Sequence, residues 1–511
     1  MRTGLFMAAT PMSERGELGE AKAMEEEMLT DLPWLAPIGA LVLAAVLGIV
    51  LALVLPRGRQ GLVGVWVGLA HLACAALAGW VWLDRGFRAT MDGIVLIDGL
   101  SLTLMGVLGV AGAVGVALAR PVVAGTDREG ELYAVLAATT LASAVLGTAA
   151  DISLLAIALG LSSLASFVMT GYLRRSPRGN EASLKYYIYG TVAGAVMVYG
   201  LSWWFGLTGS TALAEIGKTL PDAPAAAVVA STAMVVAGLG YKAALVPFHF
   251  WTPDAYDGAP LPVAAYLSVL PKLAGLVALA RVLPLVLPGD AMGWSTAIAV
   301  IAAVTMTVGN LAALPQRNVV RLLAYSSIAQ SGYLLMGVAA LEGSPDGLPS
   351  LVYYAIAYAA TNLAAFAVVL AVQRERRSVD LDAFAGLGRR HPWWTAALIL
   401  SFLSLLGLPP LSGFVGKLEV FTAAIDADLA WLAVVAVVNT VISLYYYLRV
   451  IAPAVLQPPP AGAPRPSPAG APLTGALLIS TILTVAIGVG AEPLLDLAGR
   501  STMLGGSAPL R

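Results

Sequence analysis

The chain has 511 residues, 59% of them hydrophobic and 12% charged, with a formal net charge of −1. A soluble domain carries about 25% charged residues, so this composition excludes one and makes the chain a polytopic protein seated in the lipid bilayer. The balanced charge argues against a nucleic-acid partner, and a single cysteine, Cys74, excludes an internal disulfide and a cysteine-held iron–sulfur centre.

Residues 1–32 carry Glu14, Glu17, Glu20, Glu25, Glu26, Glu27 and Asp31 and have no apolar core, so they do not read as a secretory signal. They are expected to form a polar, disordered lead-in, with Met24 and Met28 as alternative starts just before the first span. Crossing the hydrocarbon core takes about 20 apolar residues. That rule predicts an all-α fold of fourteen transmembrane helices near 33–55, 61–83, 98–119, 131–149, 152–173, 185–206, 225–247, 260–283, 293–314, 320–341, 350–372, 393–425, 429–451 and 472–498. Short loops make neighbours antiparallel. The exception is the linker 452–471, whose PPPAGAPRPSPAGAP composition predicts an extended path.

Lys and Arg alternate between the two sets of loops. One set holds Arg57, Arg59, Arg120, Arg128, Arg174, Arg175, Arg178, Lys185, Arg317, Arg321, Arg374, Arg376, Arg377, Arg389, Arg390, Arg449 and Arg465; the other holds Arg85, Arg88, Lys218 and Arg281. The first set is expected in the cytoplasm, which puts both termini outside.

Three lysines lie inside apolar helices: Lys242, Lys272 and Lys417. An ammonium at the bilayer centre costs about 2.5–3.5 kcal/mol on insertion scales. Burial disfavours the charged form of an amine, so such a group can load and release a proton, the chemistry of a relay along a hydrated path. The alternatives are a structural charge held by carbonyls or a side chain that snorkels to an interface. Lys242 lies about five residues from its helix end and could snorkel; Lys272 is mid-helix and could not.

Two helices are expected to break, the seventh at Pro247 and the twelfth at Pro409 and Pro410, each beside a buried lysine. The breaks stand five helices apart. This predicts two inverted five-helix units, over 131–283 and 284–451, placed between helices 1–3 (33–130) and the last helix with its tail (472–511).

Other polar residues are weaker candidates. His249 would share a face with Lys242 if the helix ran on, and reads as a relay or a loop-packing histidine. His71 reads as a neutral core residue, and Asn310 and Asn362 as interhelical hydrogen bonders. Glu419 is a carboxylate near the outer end of its helix. With His391, the histidines are too scattered for a metal site or paired haem ligands, so redox chemistry is expected in a partner.

GYKAALVPFHFWTPDAYDGAPLPVAAYLSVLPK, GNLAALPQRNVVRLLAYSSIAQSGYLLMG, YYAIAYAATNLAAFAV and GLPPLSGFVGKLEVF closely resemble subunit N of bacterial respiratory complex I, NADH:quinone oxidoreductase. The B-type counterpart in the chloroplast and cyanobacterial NDH complex is similar too. With RSPRGNEASLKYYIYG the likeness covers roughly 100–500, and WTPDAYDGAPLPV favours the N type over the L and M types and over Mrp antiporter subunits.

The resemblance implies discontinuous helices 7 and 12 and a half-membrane proton path through Lys242, Lys272 and Lys417. Lys185, in NEASLKYY, matches a lysine also associated with that path, although at a loop edge it fits an orienting charge equally well. The resemblance further implies no redox cofactor in this chain. FMN, iron–sulfur clusters and quinone are expected in partner subunits, with antiporter-like M-type and small K- and J-type subunits as membrane neighbours. The setting is the cell inner (plasma) membrane.

One position departs. The family's helix 5 reads G-L-E-L-L-S-L, whereas this chain reads Gly160-Leu161-Ser162-Ser163-Leu164-Ala165-Ser166. Serine cannot ionise, so the usual counter-charge to Lys242 is missing. The resemblance and the buried lysines make redox-driven proton translocation the expected function. A stand-alone or Mrp-type cation/proton antiporter and a non-pumping structural subunit are the alternatives.

Overall fold

The computed structural model describes residues 12–173, 175–460 and 469–504, with residues 12–28 as helix backbone only. Arg174, Arg465 and the 461–468 stretch of the proline-rich linker lie outside the described residues, as do residues 1–11.

In chain order the elements are α1 Met12–Val54, α2 Gly61–Asp84, β1 Arg88–Thr90, β2 Val95–Ile97, α3 Gly99–Val123, α4 Glu129–Thr148, α5 Ile152–Thr170 and α6 Pro177–Thr208. There follow α7 Leu213–Thr219, α8 Ala225–Lys242, α9 Trp251–Gly258, α10 Leu261–Val286, α11 Trp294–Ala313, α12 Val319–Ala339 and α13 Gly347–Arg376. The chain closes with α14 Leu387–Arg390, α15 Pro392–Leu406, α16 Ser412–Asp426, α17 Ala430–Leu456, α18 Ala471–Val489 and α19 Ala491–Gly499. Strands β1 and β2 pair antiparallel, Ala89 facing Leu96.

Among the described residues thirteen helices are long and apolar enough to cross a membrane. The fourteenth crossing is α15 with α16. The chain enters α15 beside Arg389 and Arg390 and leaves α17 beside Arg449, so these two fifteen-residue pieces together make one passage. The protein is a multi-pass all-α membrane protein.

Boundaries follow local chemistry. Asp98 caps α3 with a reciprocal bond to Ser101, Asp151 caps α5 through Ser153 N and Leu154 N, and Asn318 caps α12. Two expectations change. The lead-in is helical from residue 12: its Glu, Ala and Met residues favour helix over Gly16 and Gly19, and the helix runs through Pro33 and Pro37 into the first span. Arg281, counted above as a loop charge, is only 1% exposed and lies inside α10. Its guanidinium makes two 2.8 Å bonds to the buried Asp98 carboxylate, and Nε donates to Gly147 O at 2.9 Å.

The core lies in three helices. Every residue of α10 is buried, and α12 and α13 are nearly as enclosed, while α1, α2, α6, α17 and α18 form an outer ring with one exposed apolar face. The lysines belong to the centre and to the two broken helices beside it.

Candidate functional site

Lys242 is the last residue of α8. The chain turns out of the helix at Ala243 and Ala244, the latter at φ 58°, and resumes helix only at Trp251. The lysine nevertheless has no exposed surface, which removes the snorkelling alternative. Its ammonium reaches Ser163 Oγ at 3.5 Å, the edge of hydrogen-bond range. The neighbouring Ser162, at the family's glutamate position, is fully buried and its Oγ has no hydrogen-bond partner among the described residues. The helices meet here because α10 offers Gly275: a Cβ at that site would stand 2.9 Å from Ala243 N and 3.1 Å from the Lys242 Cβ.

Lys272 lies one turn earlier on α10, next to Pro271, whose missing N–H leaves the Leu267 carbonyl without its helical donor. Lys272 Nζ donates to Ser327 Oγ at 2.5 Å, and Ser327 Oγ and Tyr358 OH are 2.7 Å apart. Tyr358 OH then donates to Ser268 O at 2.8 Å, back on α10. The Tyr256 ring of α9 lies 5.8 Å from the Lys272 ammonium. His249 does not share a helical face with Lys242, because α8 has ended; it sits in the break, largely buried, within electrostatic reach of Lys272.

Lys417 follows the second break. Gly407 caps α15 at φ 92°, and a Cβ there would stand 2.8 Å from the Lys417 Cδ, so glycine lets the side chain lie across the helix end. The ammonium donates to Leu406 O at 2.9 Å and Thr440 Oγ1 at 3.2 Å, and sits 4.2 Å over the Tyr333 ring. Each hydrogen-bond partner of the three lysines is a neutral hydroxyl or carbonyl.

Lys185 sits elsewhere. It is 43% exposed and pairs with Glu181 at 2.7 Å and Asp254 at 3.0 Å. Asp254 also receives Arg321 at 2.9 Å, so α6, α9 and α12 meet in one ion cluster at the arginine-rich face. Burial alone would raise the Asp254 carboxyl, but Lys185 and Arg321 outweigh it and hold it below the usual carboxylate range. Glu419 is half-buried on α16, near Asp346. His71 is fully buried, bonded to Val67 O at 2.7 Å and Thr140 Oγ1 at 2.8 Å. Asn310 binds Asn439 across helices, and Asn362 binds Ser268. Among the described residues no group of His, Cys, Asp and Glu could hold a metal ion.

Sequence reasoning missed the polar side chains that surround the lysines. Ser326, Ser327, Gln330 and Ser331 on the otherwise apolar α12 were the available signal: their three- and four-residue spacing marks one polar stripe on a buried helix.

Comparisons with known proteins agree on the family. Residues 149–443 match the family described as "NADH:quinone oxidoreductase/Mrp antiporter, TM". NADH-quinone oxidoreductase subunit N 1 of Streptomyces griseus is 39% identical over 91% of this chain and 98% of its own length. A chain of respiratory complex I from Thermus thermophilus superposes with a TM-score of 0.76 at 30% identity, over 91% of this chain and 100% of its own. A chain of the Mrp complex from Dietzia gives 0.82 at 24% identity, over 92% and 96%, and shares the fold.

Proposed function

The chain belongs to the family of NADH-quinone oxidoreductase subunit N, and from that premise we propose how its own residues move protons. It is a proton-translocating membrane-arm subunit, driven by redox chemistry in other subunits. The observation that carries the residue assignment is the set of three buried lysines whose hydrogen-bond partners among the described residues are all neutral.

A proton enters from the arginine-rich face, taken as cytoplasmic, through the α8–α9 break, where His249 accepts and releases it. Lys242 loads first. Its charge has no carboxylate to settle on, only the weak Ser163 contact, so the proton is easily driven on. Transfer to Lys272 crosses the close α8–α10 contact at Gly275. Ser327 and Tyr358 then serve as the hydroxyl steps leading from Lys272. Lys417 holds the proton against the α15 end, where the negative end of the helix dipole and the Tyr333 ring favour a cation. Half-buried Glu419 receives it toward the opposite face. Like charges repel across a low-dielectric interior, so loading one lysine helps to empty the next.

Helices α4–α10 and α11–α17 form the two inverted units in this reading, one break in each. Lys185 works through Asp254: it seats α9, and with it Tyr256, beneath Lys272. FMN, iron–sulfur clusters and quinone belong to the partner subunits. An Mrp-type antiporter shares this fold but needs no redox partner, so co-purification with flavin and iron–sulfur subunits discriminates the two.

The test is proton pumping by the whole complex in vesicles. Lys242→Ala should abolish translocation through this chain while Ser162→Glu keeps it. Unchanged pumping in Lys242→Ala would reduce the chain to a scaffold.

A further inference from the structure

Between the Lys272 and Lys417 clusters stands an amide. Gln330, 1% exposed, lies one turn beyond Ser327 on α12. Its Nε2 donates to Leu405 O at 2.9 Å, and its Oε1 accepts the Tyr354 hydroxyl of α13. The Tyr354 ring is lodged against Gly416, immediately before Lys417. On one side of this amide lie Ser327, bonded to Lys272, and Tyr358, bonded to Ser327; on the other lie Thr440, bonded to Lys417, and Tyr333, its hydroxyl 3.2 Å from that of Thr440.

A hydroxyl both donates and accepts, so it can take a proton on oxygen and release another. A carboxamide divides the two capacities, N–H donating and C=O accepting, and passes a proton only through a costly imidic-acid form. Gln330 therefore interrupts the hydroxyl series, and both of its ends are tied. Its anchor matters too. Leu405 and Leu406 end α15, and their own carbonyls have no helical donor. Gln330 takes the first and Lys417 the next.

We propose that Gln330 is the gate between the two lysine clusters, an inference that rests on the reading that protons pass from Lys272 to Lys417. While Lys417 is charged, its bond to Leu406 O is charge-assisted and roughly twice as strong as a neutral one; it fixes the α15 end and keeps Gln330 on Leu405 O. The proton on Lys417 cannot return. Once Lys417 is empty the bond weakens, the α15 end relaxes, and Gln330 leaves Leu405 O so that the next proton arrives. The gate is shut behind a loaded lysine and open before an empty one.

The test uses the whole complex in vesicles, measuring passive proton leak under an imposed pH gradient and protons moved per electron. Gln330→Glu puts an exchangeable carboxyl where the amide stood and should raise the leak several-fold and lower the proton yield at a retained rate of quinone reduction. Tyr354→Phe unties one end and should raise the leak less. If Gln330→Glu does not assemble, Tyr354→Phe decides. Vesicles as tight as native in the variants that assemble overturn the gate. Lys417→Met separates the two ideas: pumping like native would remove the path itself, whereas lost pumping beside tight gate variants would remove the gate alone.

Discussion

Lys417 donates to the main-chain oxygen of Leu406 at 2.9 Å, so the second break satisfies a buried cation and a helix end with one bond. Removing the side chain has two separable consequences. Lys417→Met keeps the volume but leaves Leu406 O buried without its donor, which costs about 1–3 kcal/mol and should lower the melting temperature of the complex by a few degrees. It also removes the last protonatable lysine, so fewer protons should move per electron. A Lys417→Arg variant keeps the cation but hardly releases a proton. It should restore stability without restoring pumping, and recovery of both would sink the relay role.

The first half of the path makes a prediction through its missing glutamate. Ser162 is buried beside Ser163, which touches Lys242. A glutamate at 162 would have that lysine as its cation. Ser162→Glu should assemble in the native background and fail with Lys242→Ala, because an unpaired buried charge costs about 3–5 kcal/mol. A double-mutant cycle on assembly yield or thermal stability measures this coupling, and additive effects would show that the two positions do not meet.

These two sites mark what could be read in advance. Span order, both breaks and the three lysines follow from hydropathy, prolines and isolated charges, because insertion into lipid constrains each residue separately. The partners of the lysines do not follow. Ser163, Ser327 and Thr440 are unremarkable in an apolar helix until packing brings them to an ammonium, and Gln330 gains its meaning from a carbonyl 75 residues away. The fate of His249 depended on where α8 stops. Arg281 looked like a loop charge because its partner, Asp98, lies 183 residues upstream.

That pair supports a third prediction. Arg281 and Asp98 are both enclosed, and Asp98 also accepts from Ser101 N and Leu504 N, so the pair joins α10 to the start of α3 and to the chain end. Arg281→Leu leaves the carboxylate unpaired and should cost about 3–5 kcal/mol, seen as lost subunit in the purified complex. Adding Asp98→Asn removes the stranded charge and should restore part of the yield. No rescue by the second change would mean that the guanidinium acts by packing alone.

The cluster at the arginine-rich face gives a pH signature. Lys185 and Arg321 hold the Asp254 carboxyl below its usual range. A carboxyl depressed in the folded state stabilises fully above the ordinary aspartate value of about 3.9, and that contribution fades as pH falls through the depressed value. Asp254→Asn lacks the contribution at every pH. The native complex should therefore melt higher than Asp254→Asn at neutral pH, with the gap constant down to about pH 4 and closing only below it. The two melting curves against pH check this directly. A gap that already narrows near pH 6 would assign the effect to a histidine, and a gap that survives strong acid would make it a matter of packing.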